Sequence, residues 1–244
     1  MLIVANWKAY VDTADKAKKL FASAKRLAQS ADIALAMPYP YLGLFAGNKS
    51  TVALASQDVS ISTGGADTGE VTASTLASLG VSYSVVGHSE RRAKGETDEM
   101  VLEKVKRLLA HNVTPIVCVG EAERDLDARY LSGIRAQLAA VFAHLSQKER
   151  LSIVVAYEPI WAIGKTAAES IQPLELEEMV LYIRKVLGDY LPGKSAQKVR
   201  VLYGGSTEPT NARALAAGSG VDGFLVGHAS VDAPTFSALV KAVS

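Results

Sequence analysis

Glu158 ends an apolar run, residues 152–157, and is followed at once by Pro159. A buried strand that stops on a carboxylate, with proline turning the chain out of regular structure directly afterwards, sets an acid or base at the rim of a sheet beneath a loop. Other polar residues hold comparable addresses: Asn6 and Lys8 after residues 2–5, Gln57 after 52–56, His88 after 83–87 and Glu121 after 115–119. His88 precedes Ser89-Glu90-Arg91-Arg92, polar enough to begin a short helical turn. At a helix N-terminus the cationic form of histidine is disfavoured, so the ring would serve as a neutral imidazole donating a hydrogen bond. Lys8 would stabilise negative charge in a substrate. Each residue also has an ordinary reading, a solvated loop residue, an exposed lysine or a satisfied structural histidine. His111 and His144 fall in helical stretches and read as surface or packing residues.

Glycine placement adds a second kind of chemistry. Tyr203-Gly204-Gly205-Ser206 and Val226-Gly227-His228-Ala229-Ser230 each follow a short apolar run near the C-terminus. Such loops let backbone N–H groups approach phosphate oxygens, although tight turns would use the same glycines. Gly164-Lys165-Thr166 is no P-loop, because the required spacing asks for glycine at position 159 and finds Pro159.

The elements that must position these groups are legible as alternation. Apolar runs recur at 2–5, 33–37, 52–56, 83–87, 115–119, 152–157, 199–203 and 223–226, none alternating cleanly with polar residues, as expected of strands covered on both faces. Between them lie helical stripes such as Ala17, Leu20, Phe21, Ala24, Leu27 and Ala28, or Leu176, Met179, Val180, Ile183 and Leu187. Thr97-Asp98 opens a helical segment running to Asn112, and Pro209 opens one running to Gly218. An α/β fold follows, either a closed (β/α)8 barrel or an open doubly wound sheet. The count of eight favours the barrel, whose strand ends converge on one face. The first run also leads into Asn6-Trp7-Lys8, without the glycine fingerprint of a dinucleotide-binding sheet.

Composition bounds the rest. The chain has 244 residues, enough for one barrel domain spanning 1–244, and no linker or low-complexity tract divides it. Lys+Arg 26 against Asp+Glu 25 gives no overall charge that would recommend nucleic acid or an anionic membrane, so any anion must be met locally. Cys118 is the single cysteine, which rules out an intrachain disulfide or a Cys-based structural zinc site and suits a reducing compartment. The first five residues are apolar with no basic region before them, reading as a first strand and the protein as cytoplasmic.

The ordered motifs Ala5-Asn6-Trp7-Lys8, Gly65-Ala66-Asp67-Thr68-Gly69-Glu70, Gly87-His88-Ser89-Glu90-Arg91-Arg92, Cys118-Val119-Gly120-Glu121, Ala156-Tyr157-Glu158-Pro159-Ile160-Trp161, Tyr203-Gly204-Gly205-Ser206 and Asp222-Gly223-Phe224-Leu225-Val226-Gly227 resemble those of the triosephosphate isomerases. The resemblance runs nearly the whole chain and implies a single-domain TIM barrel that interconverts dihydroxyacetone phosphate and glyceraldehyde 3-phosphate through an enediolate. It implies Glu158 as the base, His88 as the electrophile and Asn6 and Lys8 as substrate-binding residues. Backbone N–H groups of Gly164, Ser206, Gly227 and His228 would hold the phosphate. It further implies a homodimer through the loop carrying Thr68. A proton-transfer isomerisation needs a base, an acid and a cationic site, and no metal or redox cofactor is expected.

Three departures from the family pattern stand out. The lid between the hinges Pro159-Ile160-Trp161 and Lys165-Thr166-Ala167 is two residues shorter than is usual, with Ile163-Gly164 running straight into Lys165. A leakier lid would let the enediolate expel phosphate and give methylglyoxal. His228 stands where the family has a second glycine, strained if that position needs positive φ and otherwise able to bring an imidazole near the dianion. Ala93-Lys94 replaces a three-residue stretch before Gly95 that helps receive the neighbouring subunit's loop. A non-catalytic phosphate-binding barrel and another phosphosugar enzyme, such as an epimerase, are the competing readings.

Overall fold

The computed structural model describes residues 1–125, 127–165 and 169–244. Eight parallel strands close into a barrel in chain order: β1 Leu2–Asn6, β2 Asp32–Met37, β3 Ala53–Ser56, β4 Val81–Val86, β5 Thr114–Val119, β6 Val154–Tyr157, β7 Arg200–Tyr203 and β8 Gly223–Val226. β1 closes the ring on β8, with Val4 beside Leu225 and Ala5 beside Val226. The closed barrel is therefore correct, and the open sheet is not.

The missing polar alternation now has its cause. Leu2, Val4, Ala34, Ala36, Ala55, Val85, Ile116, Cys118, Ala156, Leu202 and Leu225 form one buried cluster, and their alternate neighbours, such as Ile3, Ala5, Ile33, Leu35, Val117 and Val155, join a second. Successive side chains point to opposite faces of a strand, and both faces are covered here, one by the barrel's own interior and one by helices. Alanines at 34, 36, 55 and 156 suit the narrow interior. The helix Ala14–Leu27 buries Ala17, Leu20, Phe21, Ala24 and Leu27, and Thr13 caps it by accepting from the Lys16 amide. Asp98–Ala110 is capped by Thr97, and Pro209–Gly218 starts at its proline.

The strand bounds shift where short helices intervene. β6 begins at Val154 because Ser152 caps the helix Gln147–Leu151, whose start is a capping box of Ser146 and Glu149. The helices Tyr39–Leu42 and Ala73–Ser78 also lie in stretches that carry no clear helical stripe. His111 and His144 fall just past helix ends and are exposed. Among the described residues, no helix is long and apolar enough to cross a membrane.

Candidate active site

β1 and the turn after it carry two of the polar residues. Asn6 is the last residue of β1 and is buried, and its Oδ1 accepts from the Lys8 amide at 3.1 Å. Lys8 has φ 47, a left-handed conformation that costs a non-glycine residue about 1–3 kcal/mol. Two hydrogen bonds hold it there, the one to Asn6 and one from Gln57 Nε2 to the Lys8 carbonyl at 3.0 Å. Gln57 thus braces the lysine from below. The Lys8 ammonium is 2.7 Å from Glu90 Oε1. Burial works against charge on Glu90, but the hydrogen bond and charge of Lys8, helped by His88, outweigh it and hold the carboxyl below its ordinary range.

His88 caps the short helix Ser89–Arg92, and its Nδ1 accepts from the Glu90 amide at 3.2 Å. An imidazole whose Nδ1 accepts carries its neutral-state proton on Nε2, and Nε2 lies 3.2 Å from Glu158 Oε1. The turn before it is fixed from both sides. The Gly87 amide donates to Glu96 Oε2 at 3.0 Å, and Arg92 Nε donates to the Gly87 carbonyl at 2.8 Å. Glu96 and Asp58 share the ammonium of buried Lys104, and Asp58 also pairs with Arg91 at 2.7 Å. A buried charge network therefore underlies the histidine. The following turn, with Ala93-Lys94, is closed by hydrogen bonds from Lys94 to Arg91 and from Gly95 to Arg92, so the shortened loop is compact.

Glu158 is 2% exposed, just past β6. Its amide donates to the Val119 carbonyl at 2.8 Å, tying it to β5, and its Oε2 accepts from the Ser89 amide at 3.0 Å. Oε1, 3.2 Å from His88 Nε2, makes no well-aligned hydrogen bond among the described residues. Gly204 lies directly against it: a Cβ at that position would stand 2.8 Å from Glu158 Cγ. Beneath it the Cys118 thiol is pushed well up by burial and then by the Glu158 charge.

These residues meet in one cavity of about 380 Å³, lined by Asn6, Lys8, His88 and Glu158 together with Gly164, Ser206, Gly227 and His228. All eight expected site residues therefore converge on it. Gly227 has φ −87 and ψ −105, outside the regions open to other residues, and the Lys8 ammonium passes close to it. His228 has no positive φ, so the strain considered for it does not arise. Its ring stands edge-on to Tyr10, centroids 5.6 Å apart. The Ser206 amide lies 3.4 Å from the Ala162 carbonyl, and Ser206 Oγ accepts from the Lys165 amide at 3.1 Å. The lid is thereby linked to the loop after β7. Thr166 and Ala167 of its second expected hinge lie outside the described residues.

Glu121 does not line this cavity. Its Oε1 accepts from Tyr157 OH, Trp161 Nε1 and Arg124 Nε at 2.8, 2.9 and 3.1 Å, and the Arg124 guanidinium lies 4.8 Å from the Trp161 ring centroid. Burial and the Glu121 charge push the Tyr157 phenol far up, so it remains the donor. This clamp fixes the first lid hinge. The sequence does not point to Glu90 or Ser89 as site residues, and it marks Gly204 only as part of a phosphate-binding loop, not as the neighbour of Glu158. Glu90 was signalled only by lying two residues past His88, and the other two act through backbone and space. Among the described residues, no group of three or more His, Cys, Asp or Glu side chains could hold a metal ion.

Comparison with known proteins agrees with the geometry. The family model described as triosephosphate isomerase matches residues 1–243. The chain is 41% identical to the triosephosphate isomerase of Paracidovorax citrulli, covering 100% of this chain and 98% of that protein. It is 42% identical to that of Ralstonia nicotianae, over 99% and 98% of the two chains. The corresponding Roseiflexus castenholzii protein is 36% identical over 100% of this chain and 97% of its own.

Proposed function

The chain belongs to the triosephosphate isomerase family, and we propose that it interconverts dihydroxyacetone phosphate and D-glyceraldehyde 3-phosphate, the isomerase step of glycolysis and gluconeogenesis. The observation that carries this reading is the buried Glu158 carboxylate with its Oε1 3.2 Å from the imidazole Nε2 of His88, in the same cavity as Lys8.

The chemistry follows from those positions. Glu158 removes the proton from the carbon beside the carbonyl and returns it to the neighbouring carbon, and its carboxylate is restored at the end of each turn. His88, with its proton on Nε2, donates to the carbonyl oxygen as negative charge develops there. Lys8 and Asn6 hold the substrate oxygens, and the Lys8 ammonium stabilises the enediolate. The backbone amides of Gly164, Gly227 and His228 grip the phosphate, joined by that of Ser206 as it exchanges its 3.4 Å bond to the Ala162 carbonyl for one to the phosphate. The lid keeps water from an intermediate that would otherwise eliminate phosphate.

A coupled assay with glyceraldehyde 3-phosphate tests this, with Glu158→Gln alongside. Wild type should turn over, and the variant should lose about 10²- to 10⁴-fold in kcat. A folded wild type that does not turn over would eliminate the reading.

The same reading makes the protein a cytoplasmic homodimer. Residues 63–70, the loop carrying Thr68, are all exposed beyond a neck closed by the Ser60 amide on the Val71 carbonyl at 2.9 Å. A second cavity beside Lys8, walled by Tyr39, Gln57, Asp58, Arg91 and Lys94, would receive that loop from the partner subunit. Leu44 and Ile61 are 47% and 45% exposed, the apolar surface a partner would cover. Sedimentation equilibrium should give twice the chain mass, and a monomer at micromolar concentration would remove the dimer.

A further inference from the structure

His228 is the residue of the phosphate end that a glycine-paired loop would not supply. It follows Gly227 in the short turn His228–Val231 and is exposed, and it lines the same cavity as Lys8, Ser206 and Gly227. Tyr10, from the loop after β1, packs edge-on against the ring, at an interplanar angle of 77°, and lines the cavity too. His228 therefore lines the cavity with its ring packed against another lining residue.

We propose that His228 is a titratable arm of the anion subsite, its imidazolium adding a positive charge to the phosphate grip and tightening dianion binding as the solution becomes more acidic. The inference rests on the proposed triose phosphate reading, which puts the phosphate against these backbone amides. Histidine is the side chain whose charge changes between about pH 5 and 8. The charged groups around the ring permit this. Lys8 and Lys165 contribute positive charge to the cavity lining, and Glu90, Glu158 and Glu208 contribute negative charge. Asp232, at the end of the same turn, accepts from the Thr235 amide and hydroxyl at 3.0 and 2.6 Å, and its carboxyl is held below the ordinary range by those bonds and, to a smaller degree, by the charge of His228, so it faces the ring as a carboxylate in the free and the bound protein alike. A bound dianion stabilises the imidazolium, so its contribution to affinity is full at low pH and is lost as pH rises through the titration of the ring in the complex. One charge beside a dianion in a partly exposed site changes affinity by about three- to tenfold.

Sulfate keeps its two charges across this interval and so reports the protein's titration alone. Its dissociation constant would be measured by calorimetry at pH 5.5 and 8.0 for wild type, His228→Gln and His228→Arg, with turnover of glyceraldehyde 3-phosphate assayed in parallel. Wild type should gain about three- to tenfold more affinity on acidification than His228→Gln, and His228→Arg should bind about as tightly at pH 8.0 as wild type does at pH 5.5. Equal pH gains in wild type and His228→Gln, or sulfate binding undetectable at both pH values, would overturn the inference. Absent turnover would instead remove the triose phosphate reading and leave the sulfate comparison to decide the role of His228.

Discussion

Gly204→Ala asks how closely the base must be held. Gly204 has no positive φ, so the substitution is read through the space its Cβ would take. Its Cβ would stand 2.8 Å from Glu158 Cγ, 3.4 Å from Glu158 Oε1 and 3.4 Å from the Tyr157 carbonyl. Restoring an ordinary contact of 3.4 Å moves the Glu158 side chain by about 0.6 Å. Little slack exists elsewhere, because its Oε2 is fixed by the Ser89 amide and its backbone by β5. A misplacement of about 1 Å in a catalytic group costs about a hundredfold, so a loss in kcat of about ten- to hundredfold is expected. The overpacking should also cost about 1–3 kcal/mol of stability. Steady-state kinetics in the coupled assay, with circular dichroism to confirm folding, give both numbers. A folded Gly204→Ala with kcat within about twofold of wild type would show that Glu158 does not need this position.

Three further outcomes are expected. Lys104→Met leaves Asp58 and Glu96 without their shared buried cation and should destabilise the chain by about 3–5 kcal/mol in urea unfolding, and a loss under about 1 kcal/mol would contradict the network's role. Cys118, buried and with its thiol pushed up, should not react with an aromatic disulfide reagent at pH 8 in the native chain, yet should react fully after denaturation. Fast native labelling would contradict its burial beneath Glu158. The short lid predicts more methylglyoxal per isomerisation turnover than a relative with two more lid residues gives, and an equal ratio would show that lid length is immaterial here.

The sequence carried the barrel because its signal is repeated. Apolar runs alternating with helical stripes mark every strand, and the observed bounds lie within two residues of them. Short helices escaped because a turn or two offers no periodicity, and Gln147–Leu151 trimmed β6 in that way. Asn6, Lys8, His88 and Glu158 were legible as polar residues at strand ends. Gln57 and Glu121 show the limit of that rule, since one braces the Lys8 backbone and the other clamps the lid hinge. The Ser89 amide on Glu158 and the open space at Gly204 are contacts between distant segments that local pattern does not encode. The strain at Lys8 is likewise invisible in a residue type that usually avoids it.

The central claim is that Glu158 carries a proton between two substrate carbons, and isotope exchange tests it directly. Dihydroxyacetone phosphate would be incubated with the protein in deuterated water, and the products read by nuclear magnetic resonance. Wild type should give glyceraldehyde 3-phosphate labelled with deuterium beside its carbonyl, and remaining substrate labelled at the exchanging carbon, while Glu158→Gln should leave both unlabelled over the same interval. Full labelling by Glu158→Gln over the same interval would contradict the account.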